Sequence, residues 1–236
     1  MLNIRSLTCN PLQERCYLAW REAPRCVLVD PGCYGDDELR LLGKILTEEG
    51  LRPEAILLTH AHFDHVYAVK ALQDRFGGIP VYLHPDDARQ LRFCSVVPRM
   101  MGFPEPDTDF TRTDLAEGPL SVAGMDFEVI ATPGHSPGSV CYLEREAGIL
   151  FSGDTLFAGS IGRSDLPGGE YDDLIRSILE KLLPLDPATR IFPGHGPSST
   201  IGQERTGNPF LEPFNEPEEE PDPDLEPVVI RGNLSE

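Results

Sequence analysis

At 236 residues the chain is long enough for one large domain or two small ones, and a domain of that size holds a core without disulfides. Asp and Glu number 39 against 20 Lys and Arg, a net charge of −19 that disfavours nucleic acid and anionic lipid surfaces as partners. The apolar fraction of 40% is that of an ordinary globular protein, and no run of about 18 apolar residues offers a membrane span.

The first twenty residues show no basic stretch followed by an apolar core and a cleavage site, so a cytoplasmic location is expected. Six scattered cysteines (Cys9, Cys16, Cys26, Cys33, Cys94 and Cys141) include no C-x-x-C pair, which fits reduced, buried thiols better than a disulfide framework. Residues 26–30 (CVLVD) predict a buried strand ended by the turn Pro31-Gly32. Residues 36–50 predict a helix, with Leu39, Leu42, Ile45 and Leu46 at helical spacing and Gly50 as its stop. A second strand follows at 55–60 (AILLTH), then a loop and a helix over 65–76 closed by Gly77-Gly78. PVYLH is a strand and PDDARQL opens a short helix. Further strands are expected in SVAGMDFEVIATPGH, in SVCYLEREAGILFSGD and, after the helix DDLIRSILEKLL, in TRIFPGH. Strands with helices inserted on both sides predict an α/β protein whose sheet faces are covered by helices. From residue 212 the chain turns rich in proline and acid. Residues 212–236 are therefore expected to form a solvated, disordered tail behind a body spanning 1–211.

The polar groups at the strand ends carry the chemistry. His60 follows AILLT, His135 follows FEVIATPG, His195 follows TRIFPG, and Asp154 closes GILFSGD. Such positions converge on one rim of a sheet, where sites are commonly built. The densest signal is His60-Ala61-His62-Phe63-Asp64-His65. Imidazoles two apart in an extended segment point the same way, and Asp64 and His65 fall where the chain turns into its helix. Four potential ligands in six residues exceed one tetrahedral site and point to two metals. Imidazole with carboxylate, and no thiolate, suits zinc, iron, manganese or cobalt. His84, in VYLHPDD, has no such surroundings and is read as structural.

These residues resemble the metallo-β-lactamase fold, an αββα sandwich, and within it the short bacterial branch of glyoxalase II-like hydrolases. The resemblance rests on THAHFDH (59–65), TPGHSPGS (132–139), SGDTLF (152–157), GSIGRSDLPGG (159–169) and PGHGP (193–197), and it runs from NPLQERCYL to NPFL. It implies that His60, His62 and His135 hold one divalent metal and that Asp64, His65 and His195 hold a second. Asp154 would bridge the two. Zinc stands first, with iron or manganese as alternatives. Asp30 resembles the family's buried acid that orients a ligand imidazole, a role that competes with simply capping the turn before Pro31-Gly32. Arg163 stands where related enzymes face the substrate carboxylate or amide with a basic residue, a role that competes with a surface pair to Asp165.

The implied activity is thioester hydrolysis, on an acyl-glutathione such as S-lactoylglutathione, by a metal-bridging hydroxide that Asp64 and Asp154 orient. The implied partner is thus a small-molecule thioester, with no nucleic acid and no membrane; the oligomeric state is left open. Two departures matter. Little beyond the acidic stretch follows His195, where typical glyoxalase II enzymes carry a helical glutathione-binding domain, and Pro197 replaces an expected aromatic. A persulfide dioxygenase with one iron is the alternative; a lactamase of this fold would carry Cys at the position of Asp154.

Overall fold

The computed structural model describes residues 1–215. Strands β1 (Asn3–Cys9), β2 (Glu14–Trp20) and β3 (Arg25–Val29) form an antiparallel meander. After helix α1 (Gly35–Glu48), the sheet continues in parallel through β4 (Arg52–Leu57), β5 (Val81–Leu83) and β6 (Arg112–Asp114). Helix α1 sets Asp36, Asp37 and Glu38 in its first turn, where the helix dipole favours acids, and buries Leu42 and Leu46. Between β4 and β5 lie helices α2 (Phe63–Val66) and α3 (Val69–Arg75). Between β5 and β6 lie a 3-10 helix, Pro85–Ser95, and helix α4 (Val97–Met101).

The second sheet consists of β7 (Gly118–Val122), β8 (Met125–Ala131), β9 (Val140–Glu144), β10 (Ile149–Gly153), β13 (Arg190–Pro193) and β14 (Ser199–Thr200), in the order β14-β13-β10-β9-β8-β7. A ribbon of β11 (Leu156–Phe157) and β12 (Ser160–Ile161) follows β10. Helix α5 (Tyr171–Ser177) runs into a π-helical segment, Ile178–Leu182, and α6 (Ile201–Gly207) follows β14.

Strand alternation divides the apolar side chains among three cores. Val27, Val29, Ala55 and Leu57 of the first sheet meet Val140, Tyr142, Ile149 and Phe151 of the second. Their neighbours Cys26, Leu28 and Ile56 point outward under Leu42, Leu46 and Leu72 of the helices. Cys141, Leu143 and Leu150 point the other way, under Leu174, Ile178 and Leu182. The result is the four-layer αββα sandwich that the resemblance implied.

Two expectations are adjusted, and one hairpin was not foreseen. The helix expected over 65–76 starts at Phe63 and breaks into α2 and α3, because the Ala68 N–H donates to the Pro31 carbonyl (3.0 Å) at the junction. The β1–β2 hairpin had no clear sequence signal, since MLNIRSLTCN mixes polar and apolar residues irregularly. The segment expected to be a tail from residue 212 opens with a helical turn, α7 (Glu212–Asn215), behind the buried Leu211; residues 216–236 of that expectation lie outside the described residues. All six cysteines are buried and free. Among the described residues no helix is long and apolar enough to cross a membrane.

Candidate metal centre

Strands β8, β10 and β13 run in the same direction, so the residues that follow them, His135, Asp154 and His195, emerge at one end of the second sheet. The loop after β4 brings His60 and His62 to the same place from the first sheet. The His135 Nε2 lies 3.2 Å from His60 Nε2 and 2.8 Å from His62 Nδ1, and all three rings are mutually perpendicular within about 11°. Alongside, Asp64 Oδ2 lies 3.3 Å from His195 Nε2 and 3.7 Å from His65 Nε2. Asp154 reaches both groups. Its Oδ1 is 3.5 Å from His65 Nε2, and its Oδ2 is 3.6 Å from both His135 Nε2 and His195 Nε2. All seven residues named from the sequence are therefore brought together.

The remaining ring nitrogens are tethered, which fixes the direction of each imidazole. His135 Nδ1 donates to the Arg163 carbonyl (2.7 Å) and His195 Nδ1 to the Leu12 carbonyl (3.1 Å). His60 Nδ1 donates to Thr59 Oγ1 (3.0 Å), whose hydroxyl donates in turn to Asp30 Oδ2 (2.6 Å). Asp30 also accepts from the Thr59 N–H (2.7 Å) and stands 3.2 Å from His65 Nδ1. Its carboxylate thus orients two imidazoles. The competing turn-cap role falls away, since the turn is closed by the Asp30 carbonyl accepting from the Gly32 N–H.

The donor set fits divalent cations. His65 Nε2 and Asp154 Oδ1 are buried without a hydrogen-bond partner, although they face each other. Leaving such atoms unpaired in a protein interior is costly, and an ion between them removes the cost. Charge tells the same story. Burial drives the His60 imidazole well below its usual value and, with His135, drives His62 down to about 3, so both stand neutral as ligands. Burial also disfavours a charged His65, but Asp154, Asp64 and Asp30 outweigh it and pull the imidazole up to about 10. For Asp64, burial is likewise outweighed by His65 and His195, which hold its carboxyl well below the usual range. Three carboxylates around His65 are calling for positive charge.

Close approach explains the glycine of the PGH turn: a Cβ on Gly194 would run into Asp154 Oδ1 and sit 2.8 Å from His65 Cε1. Gly153 has φ +49° and no room for a Cβ beside Thr59.

Several residues around the centre carried no sequence signal of their own. Asp87, fully buried, accepts from the Ala61 N–H (2.6 Å) with one oxygen and from the Gly138 N–H (2.7 Å) with the other, pinning the His62 loop to the His135 loop. In the sequence it is indistinguishable from Asp86 beside it, which is exposed. The Asn10 amide donates to the Gly32 (3.1 Å) and Asp64 (2.9 Å) carbonyls. Glu14 lies buried with both oxygens unpartnered, and burial, with Cys9 and the acids nearby, pushes its carboxyl well above the usual range. His84 is structural, as expected: its ring accepts from the Asp86 N–H (3.3 Å) at the start of the 3-10 helix.

A cavity of about 420 Å³ opens over the centre, with His62, Asp64, His135, Asp154 and His195 in its floor. Arg163 lines it but is exposed, and its guanidinium makes a bidentate pair with Asp165 (2.7 and 2.8 Å). The surface pair to Asp165 is thus formed, at the edge of the cavity. Cys94 also faces the cavity. Its thiol donates to the Ala61 carbonyl (3.4 Å), and burial pushes it up to about 12, a direction that favours the unreactive thiol form.

A family model described as the metallo-beta-lactamase superfamily matches residues 9–195. The chain is 38% identical over 214 residues to the hydroxyacylglutathione hydrolase GloC of Haemophilus influenzae, across 89% of this chain and 98% of that protein. The crystal structure of BLEG-1 B3 metallo-beta-lactamase is similar with a TM-score of 0.82 and 42% identity, over 89% of this chain and 99% of that one. The crystal structure of TTHA1623 in a di-iron-bound form is similar with a TM-score of 0.77 and 44% identity, over 88% and 100%.

Proposed function

Because the chain belongs to the metallo-beta-lactamase superfamily and to its metallo-hydrolases, we propose that it hydrolyses thioesters, acyl-glutathiones such as S-lactoylglutathione among them, at a two-metal centre. The observation that carries this reading is Asp154, whose two oxygens lie 3.5–3.6 Å from imidazoles of both clusters. His60, His62 and His135 would hold one ion and Asp64, His65 and His195 the other, with Asp154 between. Zinc is the first choice on donor chemistry, and iron or manganese suits the same set. Bound there, the pair would acidify a water toward neutral pH and polarise a substrate carbonyl.

The chain's own residues do the rest. The tethered imidazoles keep their free nitrogens aimed into the two clusters, which limits the reorganisation the reaction needs. Asp64 and Asp154 provide the carboxylate oxygens that orient the attacking water. A thiolate whose conjugate acid has a pKa of about 8.5 leaves without a dedicated acid. Arg163, at the rim, faces the side on which an anionic thiol part would lie. The likeness to the hydroxyacylglutathione hydrolase GloC supports the acyl-glutathione class, and the B3 lactamase likeness makes a β-lactam the appropriate control.

The test is a panel of thioesters, including S-lactoylglutathione, with a chromogenic β-lactam and a persulfide alongside, on metal-loaded protein. Thiol release from the thioesters supports the reading. Turnover confined to the β-lactam, or oxygen uptake with the persulfide, would replace it.

A further inference from the structure

We propose that the cavity over the centre takes thioesters whose acyl part is an extended apolar chain, with the ionic thiol part held outside at the rim; this rests on the thioester reading above. The cavity is about 420 Å³, within the size range of small-molecule pockets. Its walls above the metal-ligand candidates are formed by Phe63, Phe93, Val97, Met101, Ile161 and Leu166. Apart from the ligand set, the strongly polar wall side chains are Gln90 and Arg163, and each already has a partner. Gln90 donates to the Pro167 carbonyl (2.9 Å), and Arg163 is paired with Asp165 in the open.

A charged tripeptide buried against these walls would lose its hydration with no counter-charge in return. A lactoyl group would leave most of the space empty, and its hydroxyl would meet walls that are apolar. An alkyl chain gains from every methylene it buries. The apolar surface also continues outward. Of the lining residues, Phe93 on the 3-10 helix and Met101 on α4 are also exposed, Met101 at 50%. Unbranched methionines adapt to a flexible chain better than branched residues do. At the exposed rim, outside the apolar walls, Arg163 would meet the carboxylates of the thiol part only by exchanging its surface pair with Asp165.

The experiment compares kcat/KM of the metal-loaded full chain for S-acetyl-, S-butanoyl-, S-hexanoyl- and S-octanoylglutathione with that for S-lactoylglutathione. The expected result is a rise of roughly threefold per methylene up to hexanoyl, with hexanoyl above lactoyl by at least about tenfold. Met101→Gln and Phe93→Gln should each flatten that slope. Calorimetry with the non-hydrolysable S-hexyl- and S-methylglutathione should show the hexyl compound, five methylenes longer, binding roughly 200-fold more tightly. A flat series, or lactoyl turned over faster than hexanoyl, overturns the apolar-chain proposal and leaves the thioester reading standing. Failure of every thioester in the metal-loaded protein overturns the thioester reading, and equal binding of the two thioethers then overturns this proposal as well.

Discussion

Removing the Asp87 carboxylate should damage the metal centre without touching a ligand. Asp87→Ala leaves two buried N–H groups, those of Ala61 and Gly138, without acceptors. An unsatisfied buried donor costs about 1–3 kcal/mol, so the pair costs roughly 2–6 kcal/mol. Burial pushes the Asp87 carboxyl up from its ordinary value, opposed by Ser136 and the two N–H donors. The desolvation of the carboxylate therefore offsets part of the gain, and about 3 kcal/mol is expected. That is a large share of the roughly 5–15 kcal/mol that holds a domain together. Asp87→Asn keeps one acceptor oxygen and should cost about half as much. Because the bond pair joins the His62 and His135 loops, affinity at the three-histidine cluster should fall about 10–100-fold. Urea denaturation of the metal-free protein reads the first effect, and metal competition with a chelator reads the second. An Asp87→Ala protein with wild-type midpoint and wild-type affinity would refute this account of how the two loops are held.

Other expectations follow from the same geometry. Arg163→Ala should raise KM for an anionic acyl-glutathione more than for a small neutral thioester; equal changes would remove its role at the rim. Asp30→Asn should weaken binding at the Asp64–His65–His195 cluster about 10–100-fold, because His65 loses the carboxylate 3.2 Å from its Nδ1; unchanged affinity would make Asp30 a packing residue only. In metal-free protein, His60 and His62 stay neutral in the fold while the unfolded chain protonates them near pH 6.5. Their stabilisation is complete above that value and lost as the pH falls toward 3, about 2 kcal/mol for His62 by pH 5. His65 acts in the opposite sense: its stabilisation is complete below about 6.5 and lost as the pH rises to about 10. Denaturation midpoints of metal-free protein should therefore peak near neutrality, and a monotonic rise toward pH 9 would contradict these assignments.

The ligand set was legible because its chemistry is local. HAHFDH packs four donors into six residues, and TPGH, SGD and PGH each place one donor directly after an apolar run whose direction in the sheet is set by pairing. The supports were less legible because they act across the fold. Asp87 reaches the site from 26 residues beyond Ala61 and 51 before Gly138. Asn10 and the Leu12 carbonyl arrive from a hairpin without strict alternation, and Leu12 acts through its backbone, which no side-chain pattern encodes. Arg163 shows the same limit. Its side chain suggested two roles, and its carbonyl, which orients His135, suggested none. The apolar walls of the cavity come from Phe63, Phe93 and Ile161 in separate elements, so only their assembly shows that the cavity is apolar.

Metal content per chain, measured on wild-type and Asp154→Ala protein after loading with zinc, bears most directly on the shared centre. Two ions per wild-type chain, with loss of at least one ion and of nearly all thioester hydrolysis in Asp154→Ala, is the predicted result. A single ion in the wild type, or an Asp154→Ala protein that keeps two ions and full turnover, would contradict it.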